Sequence, residues 1–319
     1  MSKIRKVIDR MKAGEDLGLD RGVDAGRQRL INLDGSYNIE RKTNRLFGNF
    51  YLFHWLLTAK WRHYWLAVFA FYGSMNVLFA TAYYLLGSQY IHGIPAGNEG
   101  TKFAYCFFFS AQSFTTVGYG ALNPVSGPAN VLATLEAFTG LMTFALATGT
   151  LWGRFSKPVS MIKYSDKILI APYKNITGLQ FMVANQLNSG LMEVEARVNI
   201  RWLDEDEKGE PVRRFNQLSL EIDKIALFPS SWVINHPIDE ESVLYGKTLE
   251  ELKKMDIEVF ILIRAFDDVF SQTIYSRMSY LHNQFVYGAK FQKIFYVDNT
   301  GKTIIDLSKV GVYDRVEMG

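Results

Sequence analysis

The chain of 319 residues has one cysteine, Cys106. That excludes an internal disulfide framework and any zinc site built on several thiolates, and leaves Cys106 as a small apolar residue. Charge is missing from two long stretches: none occurs from Trp65 to Leu86, and from Ala129 to Trp152 there is only Glu136. No Lys/Arg stripe interleaved with aromatics occurs, and a formal charge of +3 gives no electrostatic footprint for nucleic acid. There is no GxGxxG loop, no P-loop and no Ser/His/Asp grouping at a recognisable spacing. An enzyme, a nucleotide-binding regulatory domain and a bound cofactor are therefore not expected. The basic N-terminus, with Lys3, Arg5, Lys6, Arg10 and Lys12, has no apolar stretch behind it and does not read as a cleaved signal peptide.

What is present is concentrated. Aromatic residues crowd between Phe47 and Trp152, while charges crowd at the start and after Lys163. This asymmetry suits a membrane part flanked by soluble parts. The uncharged run Trp65 to Leu86, about 22 residues at 1.5 Å each, is long enough to cross a hydrocarbon core of roughly 30 Å, and Ala129 to Trp152 is a second such span. Between them Phe103 to Phe114 is apolar but too short to cross, so it suits a re-entrant half-helix. Phe47 to Ala59 is aromatic and uncharged, which suits an interfacial helix along the membrane surface, with a buried soluble helix as the other reading. Arg41, Lys42, Arg45, Lys60 and Arg62 precede the first span and Arg154, Lys157 and Lys163 follow the second, against only Lys102 between them. By the positive-inside rule both termini are cytoplasmic, in a multi-pass protein of the cell inner (plasma) membrane.

Beyond the second span the period changes from helical to two. Leu191 to Trp202, Ile257 to Ala265 and Phe291 to Val297 alternate as half-buried strands do, with Asn299-Thr300-Gly301 as a hairpin turn. Leu249 to Met255 is the one convincing short helix there. An antiparallel β-sandwich is the expected result.

The half-helix runs straight into Thr115-Thr116-Val117-Gly118-Tyr119-Gly120. TVGYG is the known signature of the potassium-channel filter, so this step is a match to an established system and not a derivation. With FFFSAQSFTTVGYG, PANVLATLEAFTGLMTFALATG, RFSKP and the later INHPIDEESVLYGKTLEEL and SRMSYLHNQFVYGAKF, the chain resembles the inward-rectifier potassium channels, most closely their bacterial members, over about Phe47 to Tyr296. The resemblance implies two transmembrane helices plus a pore helix, joined to a C-terminal immunoglobulin-like β-sandwich that is cytoplasmic and concerned with gating. It implies a homotetramer in which K+ is the permeant ion, held by Thr116, Val117, Gly118 and Tyr119 of four chains. Carbonyls there replace the ion's hydration shell, and Gly118 and Gly120 supply the backbone angles that this requires.

Carried over position by position, the resemblance puts a gate at Trp152, where an interfacial tryptophan is the other reading. It puts a bend at Gly140, where a packing contact is the other reading. Phe144 falls in the cavity at the position where strongly rectifying members carry an acid, so rectification is expected to be weak. Glu136 and Gln112 are expected to support the filter; eukaryotic relatives instead pair a Glu and an Arg at the positions of Gln112 and Leu122. Arg62, Arg154 and Lys157 match basic positions that bind anionic membrane lipid, although the positive-inside pattern alone accounts for them equally. Asp268 and Asp223 are candidates for the cytoplasmic ion path, or are solvated strand charges.

The expected organisation is a partly disordered cytoplasmic segment over 1–46, an interfacial helix over 47–62, a pore domain over 63–155 and a cytoplasmic β-rich gating domain over 156–319. A membrane-anchored β-sandwich that binds another protein and passes no ions is the competing reading; it predicts a monomer or dimer.

Overall fold

The structure is a computed structural model that describes residues 29, 31–33, 35–38, 52–157, 161–187, 190–205, 209 and 211–317. The chain divides into two compact units, Thr43–Lys157 and the combination of Met1–Lys42 with Pro158–Gly319.

The first unit is helical. A short helix α1 (Leu52–Thr58) is followed by α2 (Trp61–Gly87), α3 (Glu99–Phe114) and α4 (Gly127–Phe155). Helices α2 and α4 are long and apolar enough to cross a membrane. Both extend a few residues past the uncharged runs, because a helix tolerates charge at its ends. The expected interfacial helix over 47–62 ends at Thr58. Residues 47–51 lie outside the described residues, and Trp61 and Arg62 already belong to α2. Helix α3 begins where Asn98 accepts a hydrogen bond from the Thr101 amide, and α4 where Ser126 accepts one from Ala129, with Pro128 in the first turn. Both are ordinary N-caps. Two-residue strands β1 (Ile91–His92) and β2 (Asn123–Pro124) pair across the segments flanking α3.

The second unit is a β-sandwich. One sheet has the order β11-β10-β6-β7 with β8 also on β6, where β6 is Leu191–Glu205, β7 Pro211–Leu218, β8 Lys224–Phe228, β10 Glu258–Asp267 and β11 Gln272–Leu281. The other has the order β12-β4-β5-β3 with β9 on β5, where β3 is Ile162–Tyr164, β4 Ile168–Tyr173, β5 Ile176–Asn185, β9 Ser231–Ile238 and β12 Phe285–Tyr287. Ile168, Ile170, Leu179, Phe181 and Val183 of the second sheet pack on Val194, Val198, Ile200, Ile261 and Ile263 of the first. The sandwich is not wholly antiparallel, as the sequence suggested: β12 runs parallel to β4.

Two further departures have local causes. The alternation from Leu191 to Trp202 is interrupted by a β-bulge, where Glu193 takes φ +48° and the pairing with β10 slips between Arg264 and Phe266. One extra residue lets Leu191 and Val194 share the buried face despite their odd spacing. The run from Phe291 to Val297 is two strands, β13 (Ala289–Phe291) and β14 (Phe295–Val297), separated where Ile294 turns into the core. Strand β14 pairs with β15 (Thr303–Ile305) across the expected turn, where Asp298 Oδ1 accepts from the Thr300 and Lys302 amides and Gly301 takes φ +82°. Helix α5 (Leu249–Lys254) is closed by a capping box of Thr248 and Glu251.

Part of the N-terminal segment expected to be disordered is ordered on this unit. Ile31 is buried, bridges to Tyr37 and accepts a hydrogen bond from Ser279 Oγ at 2.9 Å, while Arg29 donates to the Ser279 carbonyl. Residues 1–28, 30, 34 and 39–46 of that segment lie outside the described residues.

His236 on β9 gives this unit an acid sensitivity. Its ring is buried between the Ser219 carbonyl, 2.6 Å from Nδ1, and Ser242 Oγ, 2.8 Å from Nε2, and burial holds its pKa below 6.5. As pH falls through 6.5 the unfolded chain takes up this proton first, so the folded unit loses stability on acidification and gains none from this group at higher pH. Thermal melts of the full chain are expected to show a Tm that falls below about pH 6.5, and less steeply in His236→Gln. Equal slopes in the two proteins would remove His236 from this role.

Candidate functional site

The six residues Thr115 to Gly120 fold back onto the end of α3. Thr116 N–H donates to the Ser113 carbonyl at 3.0 Å, and the amides of Val117 and Gly118 both donate to the Gln112 carbonyl, at 2.9 and 3.3 Å. A trans peptide is planar with its N–H and C=O opposed. Three amides turned toward α3 therefore turn the carbonyls of Thr115, Thr116 and Val117 away from it. Positive φ at alternate residues, +58° at Thr116, +54° at Gly118 and +83° at Gly120, makes this orientation possible. Gly118 and Gly120 accept such angles freely, whereas Thr116 holds a conformation uncommon for a β-branched residue, the kind of strain that gathers at functional sites. Val117 and Tyr119 are exposed in the single subunit. The loop is closed on its far side by Gln112 Nε2, which donates to the Leu122 carbonyl at 3.1 Å. A side chain to backbone bond thus stands where the resemblance left Gln112 and Leu122 without an ion pair.

Helix α4 brings Glu136 and Gly140 against α2 and α3. Glu136 is fully buried; Tyr83 of α2 donates to its Oε2 at 2.6 Å, and Ser110 Oγ of α3 is hydrogen-bonded to its Oε1. One turn on, Gly140 touches α3 directly: a Cβ there would lie 1.9 Å from the Phe114 carbonyl oxygen. Gly140 is thus a point of close helix contact, and α4 runs through it unbroken. Further along α4, Phe144 and Trp152 are 72% and 74% exposed.

The basic residues differ among themselves. Arg154 donates to the carbonyls of Leu56 and, at 2.6 Å, Ala59, and its guanidinium lies 4.4 Å from the Trp61 ring centre and 4.9 Å from that of Tyr64. Lys157 donates to the Leu57 carbonyl at 3.1 Å. Both serve the open carbonyl end of α1, which a cation complements. Arg62 is exposed. The residues expected at lipid headgroups are therefore not equivalent: two tie α1 to α4 and one is open.

Comparison with known proteins gives these features a context. Residues 162–319 match the family model of the inward rectifier potassium channel C-terminal domain, and residues 71–157 match an ion channel model. The inward rectifier potassium channel Kirbac3.1 of Paramagnetospirillum magnetotacticum is 30% identical over 289 residues, covering 89% of this chain and 95% of that one. The chain belongs to the inward rectifier potassium channel family. Similar but more distant members are the ATP-sensitive inward rectifier potassium channel 15 of Mus musculus, 25% identical over 90% of this chain and 82% of that one, and the G protein-activated inward rectifier potassium channel 3 of Mus musculus, 24% identical over 86% and 75%. A likeness to the solved sporulation control protein Spo0M of Bacillus subtilis, with a TM-score of 0.21 at 9% identity over 39% of this chain and 49% of that one, is too slight to bear on the fold.

Membership makes this a membrane protein and not an enzyme, with K+ as the ion its family conducts, and its two apolar helices, short α3 and β-rich C-terminal half fit the family architecture. Asp223 and Asp268 in the β unit are not brought together. The Asp223 carbonyl accepts from the Ala196 amide and the Asp268 amide donates to the Gly190 carbonyl, so the two stand beside positions six residues apart, about 20 Å along an extended chain at roughly 3.3 Å per residue. The same sheet carries a cleft of about 400 Å³ whose lining includes Glu193, Glu195, Lys224, Arg264 and Thr273 but neither Asp223 nor Asp268. Glu195 there is held below the ordinary carboxylate range, first by its hydrogen bond from Arg197. Sequence reading missed this cleft because the Glu193 bulge that shapes it leaves no mark in an alternating run. It also missed Tyr83, Ser110 and Asn76, which are polar residues in apolar helices; their position within uncharged spans was the available signal.

Proposed function

We propose that four copies of this chain form a potassium-selective channel in the cell inner membrane, with both termini cytoplasmic and the Thr116–Gly120 segments meeting on a common axis. The observation that carries the reading is the commitment of three successive amides to α3, which turns three carbonyls of each chain outward from its own helix. A single chain offers too few oxygens to replace an ion's water, whereas a closed four-fold ring supplies them. Thr116, Val117, Gly118 and Tyr119 hold K+ in this reading. Phe144 and Trp152 line the path below the filter, and Trp152 closes it by crowding four indoles together and excluding water. Arg62 is the residue left to meet an anionic headgroup, at roughly 1 kcal/mol per charge, while Arg154 and Lys157 act indirectly through α1. Asp268 and Asp223 remain candidates for the cytoplasmic ion path.

The test is rubidium uptake, driven by a potassium gradient, into liposomes containing the purified protein, together with the mass of the assembly. Four-fold mass and uptake above that of empty liposomes are expected; a monomer or dimer without uptake would favour the membrane-anchored interaction protein instead.

Weak rectification follows from an uncharged cavity. An aromatic ring attracts magnesium and polyamines far less than a carboxylate does, so Phe144→Asp, with four added charges in one low-dielectric space, is expected to confer strong polyamine block. Current–voltage curves in planar bilayers with polyamine on the cytoplasmic side read it directly, and equal block of both proteins would contradict the assignment of Phe144 to the cavity.

A further inference from the structure

Behind the filter segment, four polar side chains from three helices meet with no exposure to solvent: Asn76 and Tyr83 of α2, Ser110 of α3 and Glu136 of α4. Tyr83 donates to Glu136 Oε2 at 2.6 Å, Ser110 Oγ bonds Glu136 Oε1 and also lies 3.2 Å from Asn76 Oδ1, and Asn76 Nδ2 donates to the Tyr72 carbonyl at 2.7 Å. Among the described residues no cationic side chain bonds the carboxyl.

Hydrogens can be counted through this chain, because each hydroxyl carries one and an ionised carboxylate carries none. If Glu136 is ionised, Ser110 must give it its only proton. The Ser110 oxygen and Asn76 Oδ1 then face each other with no hydrogen between them. Turning the Asn76 amide over moves the conflict to the Tyr72 carbonyl, where two acceptors would sit 2.7 Å apart. One added proton resolves every contact. Glu136 donates from Oε1 to Ser110, Ser110 donates to Asn76 Oδ1, Asn76 donates to Tyr72, and Tyr83 donates to Glu136 Oε2. A fully satisfied network of this kind stiffens its surroundings, whereas a partly satisfied one is costly at membrane depth.

We propose that Glu136 is a neutral carboxylic acid whose proton completes this network, and that Tyr83, Ser110 and Asn76 are positioning residues that fix the end of α3 against both spanning helices. Ser110 lies two residues before Gln112, whose carbonyl receives the amides of Val117 and Gly118. The network therefore sets the place of the filter without touching the ion. This rests on the reading of Thr116–Gly120 as the filter.

Glu136→Gln is the discriminating variant. Its amide nitrogen donates to Ser110 and its oxygen accepts from Tyr83, which reproduces the neutral acid and not the carboxylate. Infrared spectra of the reconstituted full-length protein are expected to contain the C=O stretch of a protonated carboxyl that Glu136→Gln removes. Rubidium over sodium preference should stay within about twofold of the parent in Glu136→Gln and fall at least about tenfold in Glu136→Leu, which leaves Ser110 and Tyr83 without their partner. Identical spectra for parent and Glu136→Gln, or loss of ion preference in a Glu136→Gln protein that still assembles, would overturn the proposal. If Glu136→Gln fails to assemble, Tyr83→Phe serves instead: it must shift the same band, and an unshifted band counts against the network. The infrared result does not depend on flux, so a channel that conducts nothing would refute the filter reading while the band still reports the proton.

Discussion

Gly118→Val is expected to abolish rubidium uptake while leaving an assembly of the same mass. Gly118 holds φ +54°, and a Cβ placed there meets nothing within 4 Å in the subunit. The constraint is the backbone angle and not space. A residue with a side chain in this region costs roughly 1–2 kcal/mol, and a β-branched one is a genuine outlier. In the proposed four-fold ring the cost arises in every copy, so the cheapest relief is rotation of the 117–118 peptide into an ordinary conformation. That rotation withdraws the Gly118 amide from Gln112 and swings the Val117 carbonyl off the axis. Uptake assays with size-exclusion chromatography on the same preparation decide it. Normal uptake by an assembled Gly118→Val protein would mean that the Val117 carbonyl does not bind the ion.

Gly140→Ala is expected to lower thermal stability substantially and to reduce uptake with it. Here the constraint is space. The added methyl would sit 1.9 Å from the Phe114 carbonyl oxygen and 2.8 Å from its carbon, both backbone atoms that no rotamer change can move. Overpacking of a well-filled contact costs typically about 1–3 kcal/mol, and here it also pushes α4 away from the end of α3 that carries Thr115–Gly120. The two meanings of a glycine in the middle of a spanning helix give different results. A bend point replaced by alanine yields a stable assembly with altered opening, whereas a point of contact yields a lower Tm. Melting curves of the detergent-solubilised protein separate them, and an unchanged Tm would favour the bend reading for Gly140.

The energetics of the site are thus mostly those of polar groups in an apolar setting. Glu136, Gln112 and Arg154 each spend their hydrogen-bonding capacity on protein partners, from Tyr83 and Ser110, on the Leu122 carbonyl, and on the carbonyls ending α1. At membrane depth water is not available to satisfy such groups, so residues that are unremarkable in a soluble protein become the fasteners of this one.

The amino-acid sequence by itself determined the spans, the half-helix, the strand-rich second half and the family, because these depend on periodicity, run length and a short motif that a linear chain displays directly. It also determined that Glu136 needed a partner, since an acid in an uncharged span is costly wherever it points. The partner's identity was decided only in three dimensions: Tyr83 lies 53 positions away and Ser110 lies 26 away, and no linear pattern couples them. The same holds for Gly140, whose meaning depends on a carbonyl of another helix, and for Arg154, whose acceptors stand 95 and 98 positions earlier. Helices and strands are set by neighbours in the chain, whereas the close approaches and the pairing of buried polar groups are set by which surfaces the folded chain brings together.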